Sequence, residues 1–467
     1  MKKILLMLSC IFIVGCSNNQ PIKNTDLEKS KPKIENKNTE NPKVYIQDIS
    51  VAEAILTARE RNLDLEIKRL ESEISTLDRK IAFSNFLPSI NFGGGYTKLD
   101  DDINIGVNTY GLGSQFGLPD ILGMRAVDKS FYTYGINAQI PVFVPSTWYL
   151  YSARKKGENI SQIVEELADK MLQLQVMGEY YYILSLESER ETLENQLKSA
   201  KELQRKAEVS LKVGSVLPWE LEKAKTLVAT KEFLLDKNKR DLEIAKMALK
   251  RTLNMDMSID IRLENIDSNI KKLSSLDECI YKAINQNEKL IITEEQKNIG
   301  EDIKKIAISN FLPKIILGGG YGNNSNEILM DSDFLYGNVS GIVSIFNGFR
   351  NINEYKKAVR NQKIGELKLE KEYMTTILET AKAYKNVENA QEILKIANMN
   401  FNSEKGKLKQ KKTEKDVELI DNEEYYKALA DYEKAFSDRE KAKYQYEMAV
   451  GTLKIVMGEN PFEEEVK

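Results

Sequence analysis

Side chains able to do covalent or acid–base chemistry near neutral pH are scarce in this chain. It contains no histidine and only three cysteines, Cys10, Cys16 and Cys279. Without histidine, Ser–His–Asp triads and histidine-bearing zinc sites are excluded. Cys279 is the one thiol of the body, so no intrachain structural disulfide can form there. Carboxylates are abundant, but no pattern couples a nucleophile to a base. The triplets Gly93-Gly94-Gly95 and Gly318-Gly319-Gly320 do not open a helix, as a phosphate-binding loop must. They sit in strand-like segments, where glycine marks close packing or bends. The expectation is a protein that is no enzyme and needs no cofactor or metal. Lys+Arg is 68 against Asp+Glu 71, a net charge of -3. That balance argues against a nucleic-acid partner, which requires a basic stripe.

Cys16 has a different chemistry. Lys2 and Lys3 precede an apolar stretch at 4–14, which ends Ile13-Val14-Gly15-Cys16-Ser17. A charged start, a short apolar region and a small residue form a secretory signal, too short to span a bilayer once mature. The ending resembles a bacterial lipoprotein box. That resemblance implies a signal peptide at 1–15, cleavage before Cys16, and lipidation of Cys16. Each buried CH₂ of an acyl chain contributes about 0.8 kcal/mol, so several chains anchor stably. Ser17 is not the aspartate that resembles an inner-membrane retention signal, which favours the outer membrane. Residues 16–46 are rich in Asn, Lys, Glu and Pro and read as a lipidated flexible tether, with a span of roughly 30 Å.

The rest of the chain of 467 residues must supply the frame. Its mean hydropathy is -0.43, with 30% charged residues and ten prolines, a composition that suits long solvated helices. Beyond residue 20 no run reaches the roughly 18 apolar residues of a spanning helix. The chain is duplicated. IAFSNFLPSINFGGGY at 81–96 faces IAISNFLPKIILGGGY at 306–321, with twelve of sixteen residues identical at an offset of 225. Two repeats follow, 47–270 and 271–467. Each begins with a helix, 50–83 and 275–308, in which Ile55, Ala58, Leu65 and Ile74 recur near helical spacing. Asn-Phe-Leu-Pro ends each helix. Strands are expected at 87–99 and 131–144, and at 312–323 and 334–346. They flank loops at 100–130 and 325–333. Long helices are expected at 146–211 and 349–408, the first about 100 Å long at 1.5 Å per residue. Return helices are expected at 219–254 and 413–457. In the first repeat the two shorter helices together nearly match the long one, as if stacked end to end along it. In the second repeat the match is looser.

Four strands cannot close a transmembrane barrel, which needs about eight, and an open edge is not tolerated in lipid. If these strands span a membrane, subunits must combine. At this point the mature chain resembles the outer membrane efflux proteins, the TolC-like channels. The resemblance rests on the duplicated order of elements, the FLP-plus-glycine strand starts, IPVF at 140–143 and SIFNG at 344–348. It also rests on two turn motifs, KVGSVLPWELEKA at 212–224 and KTEKDVELIDNE at 412–423.

The resemblance implies a mainly α fold with a small β part, in which long antiparallel helical hairpins form a tunnel. Three chains would form a homotrimer with a twelve-stranded barrel in outer-membrane lipid. A periplasmic adaptor and an inner-membrane pump would complete a tripartite efflux system for small toxic compounds. The same channel could instead serve type I protein secretion. A periplasmic coiled-coil scaffold without a pore is the alternative of another class.

For the periplasmic aperture the resemblance points to Asp416, three copies of which would form a negative ring. The same carboxylate also reads as an ordinary N-terminal helix residue facing the dipole. Leu419 stands where the resemblance implies a second acid. Glu220 and Lys412 are expected to form a charge link holding the aperture closed. Gly214 and Ser215 at the first turn, with Gln410 and Thr413 at the second, are expected to face the adaptor. Gln410 is the expected counterpart of Gly214.

Overall fold

The structure is a computed structural model that describes residues 46–108, 110, 115–117, 119, 121–265, 273–326 and 332–462. The signal, Cys16 and all of the tether expected at 16–46 except its last residue, Ile46, lie outside them.

A short strand β1 (Ile46–Ile49) leads into helices α1 (Val51–Arg61) and α2 (Leu63–Ser84). The single helix expected at 50–83 is thus two. Asn62 adopts an extended backbone (φ -65°, ψ 125°), and its side chain accepts from the Leu65 N–H at 3.0 Å. Asparagine is a preferred N-cap because its side-chain oxygen satisfies a free amide at the helix start. Its amide group also donates to Thr252 O at 2.9 Å, the last residue of helix α4 (Pro218–Thr252). The end of α4 is thereby held at the start of α2. The long helix α3 (Pro145–Lys212) packs against both.

The second repeat copies this joint. Asn287 separates α5 (Leu276–Gln286) from α6 (Glu288–Ser309). It accepts from Leu290 N–H at 3.2 Å and donates to Val456 O at 2.8 Å, at the end of α8 (Asn422–Val456). The long helix α7 runs Arg350–Asp416, eight residues past the expected end at 408. Thr413 mimics a helix start, with an acid three residues on, yet its hydroxyl donates to Lys409 O at 3.1 Å as in a continuing helix. The true cap is Asp421, which accepts from Glu424 N–H at 3.0 Å. With these ends the two repeats match. Helices of 11, 22 and 35 residues lie beside long helices of 68 and 67.

Four strands form one antiparallel sheet in the order β2-β5-β7-β8. They are β2 (Ser89–Lys98), β5 (Ser130–Phe143), β7 (Lys314–Asn324) and β8 (Asp333–Ile342). The expected strands thus exist, with ends shifted by up to four residues. The stretch expected as a loop at 100–130 contains a further hairpin, β3 (Ile103–Asn108) with β4 (Ile121–Val127). Its alternation is interrupted by glycines, which hid it from a period-two reading.

The main core sits at the joint between the stacked helices. β1 pairs in parallel with β6 (Asp260–Leu263), and this ribbon lies near the middle of α3. Tyr180, Ile183, Leu249, Leu253 and Ile261 are fully buried there. The Tyr180 hydroxyl lies 2.9 Å from Ile49 O and 2.8 Å from both Glu264 O and Glu264 N. It ties the ribbon to the helix, and its burial pushes its pKa up. The equivalent core of the second repeat gathers Cys279, Val387, Tyr446 and Leu453. Two ion pairs, one buried and one half-buried, join the repeats along α3 and α6. Lys170 meets Glu288 and also donates to Gly458 O, and Lys156 meets Asp302 at 2.5 Å.

Candidate functional site at the hairpin tips and the sheet

Two turns define the tips. At the first, α3 ends at Lys212 and Gly214 takes φ +74°. The N–H and hydroxyl of Ser215 both donate to Ser210 O, at 2.9 and 3.0 Å. This closure uses the left-handed position that glycine fills without strain. Pro218 opens α4, and Glu220 accepts from the Leu217 N–H at 2.8 Å. A groove lined by Leu203, Ala207, Trp219 and Leu227 opens beside this tip, with Trp219 exposed.

At the second tip α7 ends at Asp416 and Glu418 takes φ +59°. Leu419 N–H donates to Glu414 O at 2.8 Å, as Ser215 does to Ser210. The counterpart of Gly214 is therefore Glu418, not Gln410. A side chain in this left-handed conformation costs on the order of 1–2 kcal/mol. Gln410 lies within α7 and donates to Glu414 at 2.7 Å. Asp416 is likewise at the C-terminal end of its helix, not at an N-terminus. There the dipole opposes a negative charge by about 0.3–1 kcal/mol, and the side chain is exposed.

The expected partners Glu220 and Lys412 do not meet. Among the described residues no ion pair joins them; Glu220 caps its own helix and Lys412 is exposed. The link between the tips is made by residues that the sequence reading missed. Lys206, near the end of α3, reaches Asp421 at 2.8 Å and Glu423 at 2.9 Å, at the start of α8. Hydrogen bonds to these carboxylates raise the Lys206 pKa, and the Lys206 bond, followed by the Glu424 N–H, lowers that of Asp421. Lys411 adds a pair with Glu414 at 2.8 Å and a longer one with Glu424 at 3.4 Å. Lys415 lies 4.0 Å from the Tyr425 ring centre. The capping pattern Asp421-x-x-Glu424 was the available signal for the true turn.

The sheet is the second feature. Alternation across the register sorts its residues onto two faces. One face is apolar and aromatic. Phe92 stands opposite Ile136, Tyr96 opposite Tyr132, and Leu317 between Ile140 and Val339. The other face is mixed: Asn91, Asn137 and Gln139 lie beside Gly93, Gly318 and Gly320, and Phe131, Phe334 and Tyr336 share it. A Cβ at Gly320 would collide with Ile136 O, and one at Gly135 would come within 2.7 Å of Tyr321 O. Such crowding is what the concave side of a curled sheet produces. Among the described residues, the outer strands β2 and β8 each have a neighbour on one side only.

Residues 280–459 match the model of a family described as outer membrane efflux protein. No curated protein sequence matches the chain. Among solved structures, the CmeC outer membrane channel of Campylobacter jejuni superposes with a TM-score of 0.70 at 18% identity, covering 89% of this chain and 87% of that one. A membrane protein of Pseudomonas aeruginosa gives 0.70 at 17%, covering 91% and 94%. The outer membrane protein VceC of Vibrio cholerae gives 0.67 at 13%, covering 88% and 97%. At these identities the likeness is one of fold. The second repeat carries the outer membrane efflux protein pattern, and the described chain has the fold of the TolC-like channels.

Proposed function

We propose that this chain is a subunit of an outer-membrane efflux duct. Three copies would set their four-stranded sheets edge to edge as a twelve-stranded barrel, continued into the periplasm by the long helices. The single observation that carries this reading is the two-faced sheet with bare edges. Its apolar, aromatic face suits lipid, its other face, with glycines, asparagines and a glutamine, suits a water-filled lumen, and its strands of 10 to 14 residues meet the roughly 9–11 needed to cross a bilayer. No helix among the described residues is long and apolar enough to cross a membrane. The outer membrane channels of like fold support the same reading.

The duct is passive and draws its energy from an inner-membrane pump reached through a periplasmic adaptor. The hairpin tips, with Gly214, Ser215 and the groove beside Trp219, form the adaptor face. Asp416 at the exposed end of α7 supplies the negative ring, and Cys16 the lipid anchor. If Glu220 and Lys412 form a charge link, it runs between neighbouring copies.

The efflux role is tested by deleting the gene and measuring retention of a fluorescent efflux substrate. Retention should rise, and the intact chain should reverse it. Unchanged retention, with secretion of a large protein lost instead, would favour the type I reading. Metabolic labelling with a radioactive fatty acid tests the anchor: the label should appear on the intact chain and vanish in Cys16→Ala.

A further inference from the structure

We infer that Lys314 sets a ring of three cations at the floor of the barrel and makes its lumen favour anions. This rests on the three-copy barrel proposed above and adds the charge that selects among its cargo.

The strands of the sheet are almost free of charge. Across β2, β5, β7 and β8 only Lys98, Lys314 and Asp333 are charged. The register separates the three. Lys98 shares a face with Phe92 and Tyr96, and Asp333 shares that face with Leu335 and Val339. Both stand at the strand ends away from the long helices. Asp333 accepts a hydrogen bond from Asn323 there.

Lys314 differs on both counts. It opens β7, at the end that follows α6. It shares its face with Ile316, Gly318 and Gly320. That is the face whose crowding at Gly320 and Gly135 marks the concave side. Its strand neighbour is Ile342, and among the described residues no acid pairs with it. Asp302 and Glu354, on the flanking helices α6 and α7, hold Lys156 and Arg350 instead. At an offset of 225 the counterpart of Lys314 is Ser89, so each copy brings one cation to this face and no acid.

Geometry makes three such charges count across the whole lumen. Twelve strands about 4.8 Å apart, tilted by about 40°, close at a backbone radius of about 12 Å. The four-carbon stem of a lysine reaches about 6 Å inward, which leaves each ammonium about 6 Å from the axis. The screening length at physiological salt is about 8 Å. An ion crossing the floor therefore feels all three charges at once. The negative ring proposed at Asp416 lies at the far end of the 67-residue helix α7. That is about 100 Å away at 1.5 Å per residue, so neither ring screens the other. Cargo bearing a carboxylate, sulfonate or phosphate is drawn through the floor, and polycations outside the cell are held back.

The test uses purified full-length protein conducting in a planar bilayer at about 0.1 M salt. Pyrenetrisulfonate, a rigid trianion, is added on the barrel side and should block the current. Lys314→Gln should weaken that block on the order of tenfold, as the screened charge of the ring is lost. Lys314→Glu should abolish it, and Lys314→Arg should keep it. Lys314→Gln with Ser89→Lys returns the cation to the same face and should restore it. A second measurement adds the charge after assembly. In Lys314→Cys channels, a methanethiosulfonate carrying trimethylammonium should restore the block, and one carrying a sulfonate should not. The unaltered channel should ignore both reagents, since Cys279 is buried. Channels that conduct but are blocked equally before and after Lys314→Gln, or equally after either reagent, overturn the ring and leave the channel reading standing. An unaltered chain that never conducts removes both.

Discussion

Reversing the charge of Lys206 should open the hairpin tips. Among the described residues, Lys206 makes the ion pairs that join the end of α3 to the start of α8, through Asp421 at 2.8 Å and Glu423 at 2.9 Å. The three side chains are 54%, 49% and 32% exposed, so solvent screens the link, and each pair contributes only about 0.2–1 kcal/mol. Lys206→Glu removes both pairs and adds repulsion of similar size, about 1–2 kcal/mol per copy. If three copies open together, the low end is about 3 kcal/mol, a rise on the order of a hundredfold in the open population. Single-channel recording should then show higher conductance, and cells should admit bulky antibiotics more readily. In the unaltered channel, 1 M salt should reproduce part of the effect, since the screening length falls to about 3 Å. Conductance equal to that of the unaltered channel, at low and high salt alike, would refute the latch.

Three further outcomes follow from the structure. Acidification should open the same latch. Asp421 titrates below its ordinary value of 3.8, so its contribution is present above that value and lost as pH falls through the lowered one. Lys206 titrates above 10.5, so its contribution persists below that value and is lost only at higher pH. Conductance should be flat from about pH 5 to 10 and rise below about pH 4; a transition near neutrality would contradict this. Tyr180→Phe should destabilise the fold by about 1 kcal/mol, because the hydroxyl that ties Ile49 O and Glu264 to α3 is lost and Glu264 N–H keeps only its longer bond to Ile49 O at 3.3 Å, and an unshifted denaturation midpoint would contradict it. Lys170→Met alone should cost about 3–5 kcal/mol, whereas Lys170→Met with Glu288→Leu should be near neutral. Urea unfolding of the two variants distinguishes these, and equal losses would contradict the prediction.

The sequence made the order of elements legible because its strongest punctuation is duplicated. Asn-Phe-Leu-Pro followed by three glycines marks a helix end and a strand start in each repeat, and the strands lie where that predicts. Breaks made by hydrogen bonds were harder to see. Apolar spacing runs through Asn62 without interruption, and only its bonds to Leu65 and Thr252 stop the helix. The second tip was misplaced for a similar reason. Thr413 and Asp416 imitate a cap, and the left-handed turn residue is Glu418 rather than a glycine. Within one chain the tips are tied by Lys206–Asp421 rather than by Glu220–Lys412, and its partners are 215 residues apart. No local pattern reports such a contact. The ion pairs between α3 and α6 were hidden equally, since their partners belong to different repeats.

The channel reading is tested most directly by recording purified, full-length protein in a planar bilayer while its native mass is measured in the same detergent. Trimers that insert and conduct in discrete steps are the predicted result. A monomer that stays soluble and never conducts would contradict it.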